Sequence, residues 1–300
     1  MEIPKEIHTW INNIFSDCNI RLSEKISNNP NTPETSLDVT FIEHLSRHAS
    51  PLTFENNWTV RIDTHFIGGR RHFFGWEIAD IGVLIFFKKN GRIIKKKVAL
   101  LQSKRLYPLS GVVEEETRED IAIGISVLLQ GQEQGTPISS KHIYKFDKNS
   151  RYKALKVKDH QYDAIRNWNN ETTIPVYYLF YNTWSLPFSQ SVPLLEFKTP
   201  KGECKLGARV IPSETIIKHL EIQRKGYSPS IGELQKILPK PHSWKKNLYG
   251  WRLESFFSDL INCEHGYIFD TVADSNIDRL FYRKDAMLGA AIAISVELSD

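Results

Sequence analysis

The sequence predicts an α/β protein: a mixed central sheet flanked by helices, followed by a mainly helical C-terminal region. Three observations carry that prediction. Asn90-Gly91, the strongest short hairpin signal, joins the apolar runs 83–87 and 98–101. The nearly continuous apolar run 174–181 suits a strand buried within a sheet. Apolar residues recur at helical spacing on both sides of the hairpin, over 33–46 and 117–130.

Composition bounds the answer without naming a function. The chain has 300 residues, 41% of them apolar and 25% charged, ordinary globular values that support one large domain or two small ones. The expected division is 1–190 and 191–300. Net charge is +4, from 39 basic and 35 acidic residues, which is compatible with a nucleic-acid partner but does not argue for one. Cys18, Cys204 and Cys263 show no paired spacing, which fits a reducing cytoplasm and excludes a cysteine-based zinc ribbon. No apolar run approaches about 18 residues, and the N-terminus lacks a signal-peptide core, so a soluble cytoplasmic protein without a membrane partner is expected.

Taken in order, Ile7, Trp10, Ile11, Ile14 and Phe15 predict a short amphipathic helix over 4–16, and the Asn/Pro/Thr cluster at 28–32 breaks the chain. Thr32 reads as an N-cap and Pro33 as the first residue of a helix reaching Ser46. At about 100° per residue, Leu37, Phe41 and Leu45 form its buried stripe; Glu34 falls inside that stripe and Glu43 nearly opposite. Val60 and Ile62 alternate with polar residues along a first strand, 58–66, that also carries His65, and Gly68-Gly69 followed by Arg70, Arg71 and His72 makes a basic loop. After the hairpin, Glu114, Glu115 and Glu116 open the 117–130 helix, where acids favour the positive end of the helix dipole. The segment 144–158 reads as extended or irregular, 160–168 as a short helix. Further helices are expected at 213–220, 231–238 and 253–261, with Pro239 and Pro241 as breakers. Trp244, Lys245, Lys246, Tyr249, Trp251 and Arg252 interleave aromatics with cations, a composition able to stack on bases, although such strings more often tuck onto a core. The apolar end, 288–296, should be buried or lie at an interface.

The hairpin's far end is the chemically unusual part. Val98, Leu100, Gln102 and Lys104 alternate onto one face of the second strand, so an aliphatic run ends in an amide and an ammonium. Burying either unpaired would cost several kcal/mol, roughly. The turn decides which acid meets them. A plain two-residue loop at Asn90-Gly91 sets Asp80 opposite Leu101 and turns it away, leaving Glu77 on the face of Gln102 and Lys104. A three-residue loop with Gly91 in a bulge position sets Asp80 opposite Leu100 and on that face. A bulge at Gly82 also changes the parity, so both acids remain open.

Asp80-Ile81-Gly82 on one strand, a hairpin, then a hydrophobic strand ending in Gln102-Ser103-Lys104 resembles the PD-(D/E)xK nuclease superfamily. The closer similarity is to members whose middle acid is glutamine, among Mrr-like and prokaryotic antiphage-defence nucleases. The resemblance covers about residues 32–181, and its specific part is those few residues. It implies a restriction-endonuclease-like fold with an α-β-β-β-α-β core, the element order read above. It also implies a Mg²⁺- or Mn²⁺-dependent DNA endonuclease working in restriction or defence.

The chemistry of the residues is compatible with that role. A divalent ion lowers the pKa of a water and neutralises phosphate charge. Asp80 and the Gln102 amide oxygen offer the oxygen ligands Mg²⁺ prefers, and Lys104 would orient the water or stabilise developing charge. Glutamine in place of an acid leaves one charge fewer, so the number of metals stays open. In families this chain resembles, a glutamate on the first helix reaches the site; that role falls to Glu34, with Asp38 as the alternative at the same end. His44 and His48 have the spacing of a metal pair but no third ligand in view. The hairpin carries Lys88, Lys89, Arg92, Lys95, Lys96 and Lys97 with no acid among them. Lys95 and Lys96, with Arg105 beside Lys104, are the candidate DNA contacts, a salt-sensitive and sequence-blind mode of binding. The competing use of such lysines is protection of a strand edge. Two other functions compete: a catalytically inactive nucleic-acid-binding module, and a nuclease subunit active only with a partner ATPase or sensor of a defence system.

Overall fold

The computed structural model describes residues 2–66, 78–109, 142–192, 196–199, 205–237, 250–262, 264–268, 277, 280 and 288–300. The basic loop at 68–72, Glu77, the helix expected at 117–130 and residues 244–249 lie outside them. The described elements are α1 (Lys5–Asn28), α2 (Glu34–Ser46), β1 (Leu52–Thr53), β2 (Trp58–Phe66), β3 (Ala79–Lys89), β4 (Arg92–Arg105), β5 (His142–Phe146), α3 (His160–Glu171), β6 (Val176–Tyr181), β7 (Phe188–Val192), β8 (Arg209–Pro212), α4 (Ser213–Leu220), α5 (Ile231–Ile237), β9 (Trp251–Arg252), α6 (Leu253–Ile261), β10 (Tyr267–Ile268) and β11 (Leu288–Leu298). The protein is a mixed α/β fold with a mixed central sheet between helices.

The sheet runs β1-β2-β11-β3-β4-β6-β8-β9, with β10 paired to β4 and a separate β5-β7 ribbon. The strands β3 and β4 are antiparallel, and β4 and β6 are parallel. Because side chains alternate along each strand, the sheet has two apolar faces. Ile81, Val83, Ala99, Leu101, Tyr177 and Leu179 pack beneath α1, α2 and α6, where Phe15 stacks on Phe257 at 3.7 Å and both meet Phe41 edge-on. Leu84, Val98, Leu100, Val176, Tyr178 and Phe180 pack on the opposite side with Tyr162, Ile165 and Trp168 of α3 and with α4 and α5. This arrangement buries both faces of the central strands, which explains why β6 is buried at every position.

Four sequence expectations are corrected. First, α1 is 24 residues long, because Cys18, Leu22 and Ile26 continue its buried stripe well past residue 16. Second, Thr32 does not cap α2: its hydroxyl donates to Asn29 O at 2.8 Å, and Pro33 occupies the cap position. Third, residues 288–298, expected within a mainly helical C-terminal region, form a strand. This strand lies inside the sheet, antiparallel to β2 and parallel to β3. A continuous apolar run does not distinguish a strand from a buried helix, and its neighbours decided between them. Fourth, a boundary at residue 190 cuts through one sheet. Asn19 of α1 adds a crossing of that line, donating to Glu254 of α6 at 3.0 Å and accepting from Ala208 N at 2.7 Å. Among the described residues no helix is long and apolar enough to cross a membrane.

Candidate active site

The hairpin geometry matches neither expected register. The tip is the plain two-residue turn, with Asn90 at φ 48° and Gly91 at φ 76° and Lys89 paired with Arg92. Lys88 pairs with Ile93 but Phe87 with Lys95, so Ile94 is an extra residue on β4, a bulge. Beyond it Ile81 pairs with Leu101, which sets Asp80 across from Gln102. The parity of the strand therefore changes at Ile94 rather than in the turn or at Gly82.

The result is a cluster at one end of the sheet. Asp80 is 8% exposed, Gln102 1% and Lys104 3%. Asp80 Oδ2 accepts from Gln102 Nε2 and, at 2.7 Å, from the Ser103 amide. Glu34, at the first turn of α2, reaches over the end of β4: Oε1 lies 3.3 Å from Lys104 Nζ, and Oε2 accepts from Arg105 N at 2.9 Å. Asp38, one helical turn on, sits on the other face of the sheet, where Oδ1 accepts from Ser103 Oγ at 2.5 Å and from Tyr181 Oη at 2.7 Å. Ser103 thus links the two sides, holding Asp80 with its amide and Asp38 with its hydroxyl.

The electrostatics follow from burial. Burial disfavours the Lys104 ammonium, but the carboxylates of Glu34 and Asp80 outweigh it and hold the pKa above the usual lysine range. Burial raises the Glu34 pKa, against the pull of Lys104. Asp38 lies well above the usual carboxylate range, from burial first and the negative charge of Asp80 second, with the hydroxyls of Ser103 and Tyr181 opposing. Asp159, the N-cap of α3, is also raised by burial, and it lies within electrostatic range of Lys104.

Whether these residues fit a divalent ion can be judged from one atom. Gln102 Oε1 is buried and has no hydrogen-bond partner among the described residues. An orphaned buried acceptor costs about 1–3 kcal/mol, and a cation beside the Asp80 carboxylate would satisfy it. Asp80 and Gln102 offer oxygen donors of the kind Mg²⁺ prefers, while both Glu34 oxygens are engaged by Lys104 and the Arg105 amide, so by donor type the Asp80–Gln102 pair fits.

The remaining candidates fall elsewhere. Arg105 is 2% exposed, its guanidinium donates to Pro30 O and Thr32 O, and it stacks 3.9 Å over Tyr107; it ties β4 to the turn before α2 and does not face a phosphate backbone. Lys95 and Lys96 are half-buried near the hairpin tip, nine residues before Lys104 in the case of Lys95, which places them about 30 Å from the site. The basic tip is therefore not beside the cluster. His44 bonds Ile14 O at 3.2 Å and its ring stands 5.9 Å from His48, with no third ligand among the described residues. Asp259, Glu264 and His265 form a group of the right size for a metal at the end of α6, far in sequence from the cluster. Trp251 packs against Tyr177, Phe256 and His265, so its ring serves the core. The sequence reading missed Ser103, Asp159 and Tyr181. The available signal was polar atoms set within apolar strands, and an aspartate just ahead of a helix.

No model of a known protein family, no curated protein and no solved structure matches the chain.

Proposed function

We propose that the chain is a metal-dependent DNA endonuclease, with Asp80, Gln102, Lys104 and Glu34 as its hydrolytic centre. The observation that carries this reading is the bulge-set convergence of a carboxylate, an amide and an ammonium on one strand end, completed by a glutamate from the helix before the sheet. With the two-residue β1 left aside, the order α2-β2-β3-β4-β5-α3-β6, with β4 parallel to β6, supports a restriction-endonuclease-like arrangement; the β5-β7 ribbon and β11 between β2 and β3 are departures from it.

Hydrolysis joins a water oxygen to phosphorus, breaks the ester P–O bond and returns a proton to the leaving oxygen. Asp80 and Gln102 would hold Mg²⁺ or Mn²⁺, which when bound polarises the phosphate and lowers the pKa of a water. Lys104 stays protonated between its carboxylates and offers a fixed positive charge to the phosphate as negative charge develops. Glu34 anchors that ammonium. The Ser103 amide fixes the carboxylate of Asp80, which shortens the reorganisation needed for reaction. By the resemblance, such an activity would serve restriction or antiphage defence, with a defence-system protein as candidate partner.

Plasmid DNA incubated with Mg²⁺ tests the reading. Wild type should cleave, EDTA should stop it, and Lys104→Met and Asp80→Asn should each lower kcat by about 10²–10³-fold while the fold is retained. The second reading, an inactive nucleic-acid binder, is favoured by Gln102 standing where an acid would be and by its amide already donating to Asp80. Wild type that retains DNA without cutting it would support that reading instead.

A further inference from the structure

The proposed metal accounts for the orphaned Gln102 oxygen but not for a second orphan on the same face. Tyr178 on β6 is the register partner of Gln102, and paired residues of parallel strands point to the same side of the sheet. Tyr178 is fully buried, and its hydroxyl has no hydrogen-bond partner among the described residues. It lies within electrostatic range of Asp159, which in turn lies within range of Lys104. Asp159 caps α3, a helix of 12 residues, and its Oδ1 is already taken by the Tyr162 amide at 2.8 Å. Tyr178, Lys104 and the start of α3 with its capping Asp159 carboxylate are thus electrostatic neighbours on one side of the sheet. Helix N-termini and protonated donors together favour an anion.

We infer that Tyr178 is a further substrate-contacting residue, its hydroxyl donating a hydrogen bond to a non-bridging oxygen of the bound phosphate beside the N-terminus of α3. Burial, with the nearby Asp159 charge adding to it, holds the phenol protonated across the working pH range, so it acts as a donor and not as a phenolate ligand. This deepens the hydrolase reading and rests on it for the identity of the substrate.

Tyr178→Phe removes only the hydroxyl, which makes the test selective. Two measurements are made on the full chain: plasmid cleavage in Mg²⁺, and the rise in melting temperature on adding inorganic phosphate as probe. The expected result is a fall in kcat of about 100-fold, loss of the phosphate-induced shift, and an unchanged or higher melting temperature without phosphate, because an unsatisfied buried group has been removed. Cleavage at the wild-type rate overturns the inference and leaves the hydrolase reading standing; the hydroxyl then holds an ordered water only. A lower melting temperature without phosphate also overturns it, in favour of a structural role. If wild type does not cut DNA but phosphate stabilises it and not the variant, the hydrolase reading fails and the phosphate contact stands. If neither cleavage nor a shift is seen in wild type, both fail.

Discussion

At Asp38 two opposing effects meet in one side chain. The hydroxyls of Ser103 and Tyr181 favour its charged form, while burial and the charge of Asp80 disfavour it and prevail. Its folded-state pKa is therefore above its unfolded one. The stability linked to this group is fully present below about pH 4, where both states are protonated, and is lost as pH rises through the folded-state pKa. An asparagine amide at this position would accept the same two hydroxyls without carrying a charge. Asp38→Asn should thus gain in melting temperature over wild type as the pH is raised from about 4 towards 8. Thermal melts of both proteins across that range check this, and a constant gap would contradict it. The sequence showed Asp38 on the buried side of α2, but which face of the sheet it meets depends on packing.

At the scale of the element, the β3-β4 hairpin shows what local chemistry can and cannot specify. Asn90-Gly91 dictated the turn, because both positions need positive φ. Gly91→Ala should destabilise the protein by about 1–2 kcal/mol, read as a lower denaturant midpoint at unchanged slope. A Cβ there would meet nothing within 4 Å, so the cost is conformational alone. The bulge at Ile94 left no such mark. Ile94 is 55% exposed and chemically ordinary, yet it sets which acid faces Lys104. A bulge is selected by the twist of two long strands and by their neighbours, not by the residue that forms it.

For the whole molecule, β11 is decisive. It is the last described strand of the chain, and it lies between β2 and β3 with both edges paired. A fragment ending at residue 190 would expose both of those strand edges and the apolar face beneath α6. Such a fragment should show no cooperative unfolding transition by circular dichroism, while the full chain shows one. A fragment that melts cooperatively would restore the two-part organisation. The tip contacts agree with one unit: Gly91 N donates to Glu297 Oε1 at 2.9 Å, and Asp300 N to Asn90 Oδ1 at 2.8 Å.

The sequence by itself determined the local elements: the turn, the buried strand β6, the stripe of α2 and the glutamate at its start, and the Gln-x-Lys pair at the end of β4. These follow from side-chain period, backbone φ preference and apolar content, all of which act over a few residues. The tertiary structure alone decided that Asp80 faces Lys104, that Arg105 turns inward, that Tyr178 stands beside Gln102, and that the chain's end becomes a central strand. Each of these depends on which segments pair across long stretches of chain, and pairing is fixed by the joint burial of many side chains rather than by any one of them.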